Sequence, residues 1–242
     1  GSVDAMVASA ISRKDDQLEI EIVEALLNNE TFFFRDRLPF ELIERFLNEK
    51  LVHNRRGRRI SIWCAGVSTG QEAYSLAMML EEQAHCMPGW RIDILGTDIS
   101  GAAIKRARAG VYSQFEVQRG LPTRQLLKHF EKNGSDWRIS DALRNRVQFR
   151  NQDITRDQPP VFPPHAIILC RNLLLYLPRD TRRQVFDRLR AALAPHGPLV
   201  LGAAETILDQ TTAFEPDTEY RGLYRPRRMS TPSATAADRQ AG

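Results

Sequence analysis

The chain has 242 residues, 42% of them hydrophobic and 26% charged, enough for one substantial core and a small appended element. A net charge of +4 is too modest for a polybasic nucleic-acid footprint, so a nucleic-acid partner is not expected. The three cysteines, Cys64, Cys86 and Cys170, form no C-x-x-C pair, and no apolar run approaches the roughly 18 residues of a membrane span. A reduced, cytoplasmic protein without membrane insertion is the expectation.

In chain order, Leu18, Ile22, Val23, Leu26 and Leu27 share one helical face, and Asn28-Asn29 closes that helix. A second helix begins near Pro39 and turns Phe40, Ile43, Phe46, Leu47 and Leu51 inward. Asn54-Arg-Arg-Gly-Arg-Arg59 then reads as a solvated turn. From Ile60 onward strand-like and helix-like segments alternate. Strands are expected at Ile60–Ala65, Arg91–Thr97, Val147–Asn151, Ala166–Cys170 and Leu199–Ala203, and helices at Gln71–Gln83, Ser100–Ala109 and Arg179–Leu193.

This alternation predicts an α/β fold with a doubly wound, mostly parallel sheet, its strands apolar because both faces are covered. A less regular stretch, 121–146, reads as a small insertion over the sheet edge. It would hold a helix from Thr123 to Lys132, a turn at Asn133-Gly134 and a short strand at Trp137–Ser140. Thr212–Phe214 and Tyr220–Tyr224 suggest a closing hairpin. The domain expectation is a helical segment over 1–53, an α/β domain over 54–226 and a disordered tail over 227–242.

In such a sheet, ligands bind at the carboxyl ends of the strands. Gly66-Val-Ser-Thr-Gly70 joins the first strand to its helix, and the small residues Ala65, Gly66, Ser68 and Gly70 allow a cofactor to approach the backbone. The turn lacks the Lys-Ser/Thr ending of a phosphate loop and does not match G-x-G-x-x-G. With Glu72 following, it suits a cofactor bearing an ammonium group and no phosphate, such as S-adenosylmethionine (SAM).

Asp98-Ile99 ends the next strand, where a carboxylate can accept both ribose hydroxyls or simply cap the following helix. Asp153-Ile154 follows the Val147–Asn151 strand, where Asp153 can take the adenine amino group and Ile154 can cover the ring. A loop-capping Asp is the alternative. Arg171, Asn172 and Tyr176 place three polar groups in an otherwise apolar strand-to-helix junction, a costly arrangement unless they are paired or functional.

Five segments in order carry a family resemblance: Asn29-x-Thr31-x-Phe33-Phe34-Arg35, Trp63-x-Ala65-Gly66-x-Ser68-Thr69-Gly70-x-Glu72-x-Tyr74-Ser75, Thr97-Asp98-Ile99-Ser100, Arg119-Gly120-Leu121-Pro122 and Cys170-Arg171-Asn172. From about Asn28 to about Tyr224 the chain resembles the chemotaxis-receptor glutamate methyltransferases (CheR), class I SAM-dependent enzymes. The resemblance implies that Asn29, Thr31, Arg35, Ala65, Gly66, Glu72, Asp98, Ile99, Asp153, Ile154, Arg171 and Asn172 line the SAM site. It also implies that Arg35 and Tyr176 flank the reactive methyl and orient the acceptor carboxylate. The implied products are a glutamate methyl ester and S-adenosylhomocysteine, and the implied partner is the helical cytoplasmic region of a chemoreceptor.

There are departures. Family members commonly carry a larger helical N-terminal domain than the single helix read here. Gln71, Ala73, His165 and Ala204 stand where Glu, Pro, Asp and Ser are usual, and loss of Asp at 165 would remove a possible acceptor behind Arg171 and Asn172. The Asn133–Arg146 segment lacks the Gly-Pro-His-Glu-Gly pattern of members that tether to a receptor-tail pentapeptide, so no such tether is expected. The histidines show no ligand spacing, and no metal is expected. Two rival readings stand beside it: a SAM-binding regulatory or scaffolding module without turnover, and a nucleic-acid methyltransferase, which would need an Asn/Asp-Pro-Pro-Tyr/Phe motif where Cys170-Arg-Asn-Leu stands.

Overall fold

The computed structural model describes residues 29–51, 58–160 and 164–227. The expected helix around Leu18–Leu27, most of the Asn54–Arg59 turn, the Leu51 side chain and the tail from 228 onward lie outside the described residues. Helix α1, Leu38–Phe46, has Pro39 in its first turn and buries Phe40, Ile43 and Phe46, as its apolar spacing predicts. A π-type turn, Leu47–Leu51, follows it.

The alternating region then builds the sheet. β1 (Arg59–Ala65) leads to α2 (Gln71–Glu82), β2 (Arg91–Asp98) to α3 (Gly101–Ala109), and β6 (Val147–Asn151) and β7 (Ile167–Cys170) precede α7 (Arg179–Ala192) and β8 (Leu199–Leu201). With β9 (Phe214–Pro216) and β10 (Leu223–Pro226), seven strands form one sheet in the order β6-β2-β1-β7-β8-β10-β9. β6, β2, β1, β7 and β8 run parallel, while β10 is antiparallel to both its neighbours.

From Ile60 to Ala65 every residue of β1 is buried, the pattern of a central strand covered on both faces. Two apolar clusters result: one with Ile60, Ile62, Tyr74, Leu76 and Phe149, the other with Trp63, Ile168, Phe186, Leu189 and Leu199. No helix among the described residues is long and apolar enough to cross a membrane.

Four expectations need correction. The helix expected over Thr123–Lys132 stops at His129 (α5), and Phe130–Asn133 is instead strand β4, paired antiparallel with β5 (Asp136–Ile139) across the Gly134 turn. Lys132 opposite Trp137 gives a cross-strand contact, the ammonium 4.5 Å from the ring centroid, a pairing that helical propensity does not report. The small unit also begins earlier, at β3 (Val111–Tyr112), and continues through α4 (Gln114–Gln118) before α5 and β4. Helix α6 (Asp141–Arg144) ends it.

The three-stranded sheet, ordered β3-β5-β4, packs on Phe33 rather than serving only as an edge cover. The Phe33 ring stands 5.0 Å from that of Tyr112 and 5.6 Å from that of Phe130. The C-terminal hairpin is displaced by two to three residues from its expected position, because β10 is drawn into the main sheet between β8 and β9.

Candidate active site

The carboxyl ends of β1, β2 and β7 meet at one side of the sheet. After Ala65, Gly66 adopts φ +75°, and its N–H and that of Val67 both donate to the Thr97 carbonyl, at 2.8 and 2.9 Å. A Cβ at Gly66 would stand 3.2 Å from Leu173 Cδ2, so this turn keeps its small residue for both conformation and space. Asp98, at the end of β2, joins two turns: Oδ2 accepts from Ser68 N at 2.7 Å and Oδ1 from Ser100 N at 2.9 Å. Ser100 separately caps α3 by accepting from Ala103 N, so Asp98 is not the helix cap. A carboxylate oxygen can accept more than one hydrogen bond. Ile99, next in the chain, accepts at its carbonyl from Asn151 Nδ2 at 2.7 Å.

The Asn29–Arg35 segment crosses this turn. Ser68 Oγ donates to the Asn29 carbonyl at 3.0 Å, and Phe34 N donates to Ser75 Oγ at 2.9 Å. Thr31 is half-buried within it. Phe34, Asp36 and Arg37 all have positive φ, each costing about 1 kcal/mol or more unless the surroundings hold it. Arg171 supplies much of that hold: Nη2 donates to the Arg35 carbonyl at 2.9 Å and to Asp36 Oδ2 at 2.7 Å. Arg35 itself is half-buried, with Nη1 donating to the Glu30 carbonyl.

The Arg119-Gly120 motif closes the other side. Arg119 stacks 4.5 Å from the Phe32 ring and pairs with Glu30, while Gly120, at φ +85°, lies so close to the Phe33 carbonyl that a Cβ would overlap it.

Arg171 is buried, and its Nη1 meets Glu72 Oε2 at 2.9 Å. Burial pushes the Glu72 carboxyl above its ordinary range, the Arg171 charge opposes that shift, and the nearby Glu205 charge adds to it. Asn172 follows in the left-handed region at φ +58°. The single 3-10 turn Leu174–Tyr176 then leaves Tyr176 58% exposed at the rim. Asp153 caps its own loop through Oδ1, which accepts from Thr155 N at 2.8 Å and Thr155 Oγ1 at 2.6 Å, while Oδ2 lies 3.7 Å from Arg156 Nε. Ile154 packs in the cluster containing Trp63 and Leu95.

His165 does not stand behind Arg171 and Asn172. It lies before the amino end of β7, with Nδ1 2.8 Å from Ser61 Oγ, on the order of 20 Å along the strand from Arg171. A side chain at position 165 therefore does not reach Arg171 or Asn172. Two residues that sequence reasoning did not assign do enter it. Asp36 pairs with Arg171, and Glu205 accepts backbone N–H groups from the turn after β7. The signal for Glu205 was a buried-context carboxylate closely following an apolar strand.

Asp36, Glu72, Asp98 and Glu205 thus set four carboxylates around the junction against the guanidinium groups of Arg35 and Arg171. A net anionic site with a side-chain-free turn at Gly66 fits a compact cofactor carrying sulfonium and ammonium charges. The residues present fit SAM on that ground.

The family model for the CheR methyltransferase SAM-binding domain matches residues 29–221. The chain is 34% identical over 190 residues to chemotaxis protein methyltransferase 1 of Pseudomonas aeruginosa, covering 77% of this chain and 69% of the relative. It is 33% identical over 217 residues to the chemotaxis protein methyltransferase of Vibrio parahaemolyticus, covering 88% and 78%. With the motif segments meeting at the carboxyl ends of β1, β2 and β7 and the matched region running from Asn29 to Arg221, the chain belongs to the CheR family of SAM-dependent methyltransferases.

Proposed function

We propose that this methyltransferase esterifies glutamate side chains on a chemoreceptor-like signalling protein in the cytoplasm, yielding glutamate methyl ester and S-adenosylhomocysteine. The observation that carries the reading is the open rim. Tyr176 is 58% exposed, and Arg35 is only half-buried, so a side chain projecting from a macromolecule can reach the junction where Arg171 anchors the Arg35 backbone. The relatives named as chemotaxis protein methyltransferases support the same acceptor class.

The chemistry asks little of the protein's own acids and bases. Glutamate has an ordinary pKa of about 4.3 and is already an anionic nucleophile at neutral pH, so no general base is needed. Bound SAM supplies the electrophilic methyl group. Arg35 holds the acceptor carboxylate bidentately, and Tyr176 donates one orienting hydrogen bond. Opposite charges are neutralised as methyl transfer proceeds, so alignment and exclusion of water are the main contributions of the site.

On the cofactor side, Asp98 takes the ribose, Glu72 the ammonium group, and Asn29, Thr31, Asn172, Asp153 and Ile154 complete the pocket. The acceptor docks directly, without a tail-pentapeptide tether.

The test is transfer of labelled methyl from SAM to a chemoreceptor cytoplasmic fragment, followed by mild base. A glutamyl ester releases labelled methanol, and replacing the acceptor glutamates with alanine abolishes labelling. Label that survives base would overturn the carboxylate assignment.

A further inference from the structure

Glu205 lies beyond the end of β8, 33 residues from Asn172, yet its carboxylate carries four backbone hydrogen bonds. Oε2 accepts from Asn172 N at 2.8 Å and Gly202 N at 2.7 Å. Oε1 accepts from Leu173 N at 3.0 Å and Leu174 N at 2.8 Å. The residue is 8% exposed, so these four donors stand in for the water that an ionised carboxylate would otherwise hold.

Local preference alone does not hold the segment it grips. Asn172 is left-handed at φ +58°, and the Leu174–Tyr176 turn is too short to satisfy its own leading N–H groups. Three consecutive N–H donors, Asn172 to Leu174, are aimed at one side chain arriving from the neighbouring strand.

The approach of that strand is equally constrained. A Cβ on Gly202 would stand 2.9 Å from Asn172 N, 2.8 Å from Asn172 Nδ2 and 2.9 Å from Glu205 Oε2. Gly202 therefore leaves room for the clasp. The Glu205 charge also reaches Glu72 across the junction, where it is one of the influences raising that carboxyl.

We propose that Glu205 is a positioning residue for the methyl-transfer site, holding the turn that carries Asn172 and Tyr176 in its cofactor-binding shape. It acts through backbone amides and touches neither cofactor nor acceptor. The proposal rests on the assignment of Asn172 to the cofactor pocket.

The experiment is calorimetric titration with S-adenosylhomocysteine of the full chain and of Glu205→Gln, Asn172→Ala and the double variant, alongside thermal unfolding of each. Glu205→Gln preserves shape but turns one accepting oxygen into an amide donor that faces other donors. The expected result is at least tenfold weaker binding in each single variant, with the double variant little weaker than the worse single one, because both changes disable the same turn. A purely structural Glu205 would lower the unfolding temperature while leaving affinity unchanged in the folded protein, and that result overturns the proposal.

If Asn172→Ala alone binds normally, the pocket assignment fails and the proposal fails with it. If Asn172→Ala weakens binding and Glu205→Gln does not, only the proposal fails. Should Glu205→Gln not fold, Gly202→Ala answers the same question by crowding the clasp without altering charge: affinity reduced at least fivefold supports it, and unchanged affinity overturns it.

Discussion

Arg171 and Glu72 form an ion pair at 2.9 Å whose side chains are only 2% and 12% exposed, and the same guanidinium also holds the Arg35 carbonyl and Asp36. Removing the cation strands a buried carboxylate, which costs about 3–5 kcal/mol. Arg171→Ala is expected to lose stability on that scale in urea unfolding. Part of the loss should return on acidification, since the Glu72 carboxyl, already raised, is favoured in its neutral form below its folded value and penalised above it. Arg171→Lys should not restore the wild-type midpoint, because one ammonium cannot serve three acceptors in the guanidinium plane.

Arg35→Ala is expected to lower methyl transfer by more than about tenfold with S-adenosylhomocysteine affinity less affected, a loss of one oriented charge contact. Tyr176→Phe should lose less. Turnover at saturating acceptor equal to wild type would remove either residue from the reaction.

Asp98 accepts from Ser68 N and Ser100 N and is the ribose acceptor of the proposed cofactor site. Asp98→Ala should therefore weaken S-adenosylhomocysteine binding by about tenfold or more, one or two charge-assisted hydrogen bonds being worth about 1.5–3 kcal/mol each. One-to-one calorimetric binding unchanged by the substitution would place the ribose elsewhere.

Gly120 combines φ +85° with direct apposition to the Phe33 carbonyl. Gly120→Ala is expected to destabilise the fold by about 2 kcal/mol or more from strain and overlap together. Because Phe33 lies in the Asn29–Arg35 segment, cofactor affinity should fall as well. A midpoint within about 0.5 kcal/mol of wild type would mean that the segment relaxes away from Gly120.

His165 is 1% exposed, and burial pulls its pKa down to about 4. Between the ordinary value of 6.5 and about 4, the unfolded chain binds a proton that the folded one refuses. Stability is therefore complete above about 6.5 and declines as pH falls through this window, by at most about 1.4 kcal/mol per pH unit. Thermal unfolding across pH 4 to 7, measured on wild type and His165→Asn, should show a shallower decline in the variant. Identical slopes would assign the acid sensitivity to other groups.

The alternation from Ile60 onward was legible because it is a record of burial: Ile60 to Ala65 form a wholly buried strand, and Gly66 and Gly70 are both at positive φ where the strand turns into α2. The helical expectation for Phe130–Lys132 fails because a short apolar-polar run carries no clear period. The strand state comes from pairing with Trp137 and from Phe33 packing behind it.

By itself the sequence determined the parallel α/β layering, the glycine turn after β1, and the placing of Asp98 and Arg171 at strand ends, because each follows from local periodicity and backbone conformation. The tertiary structure alone decided that β10 lies between β8 and β9, that His165 sits at the far end of its strand, and that Arg171 joins Glu72 to Asp36. It also decided that Glu205 gathers the turn after β7. Arg171 and Asp36 are 135 residues apart, and Glu205 is 33 residues from Asn172. Such partners are chosen by how packed elements converge, which no local pattern records.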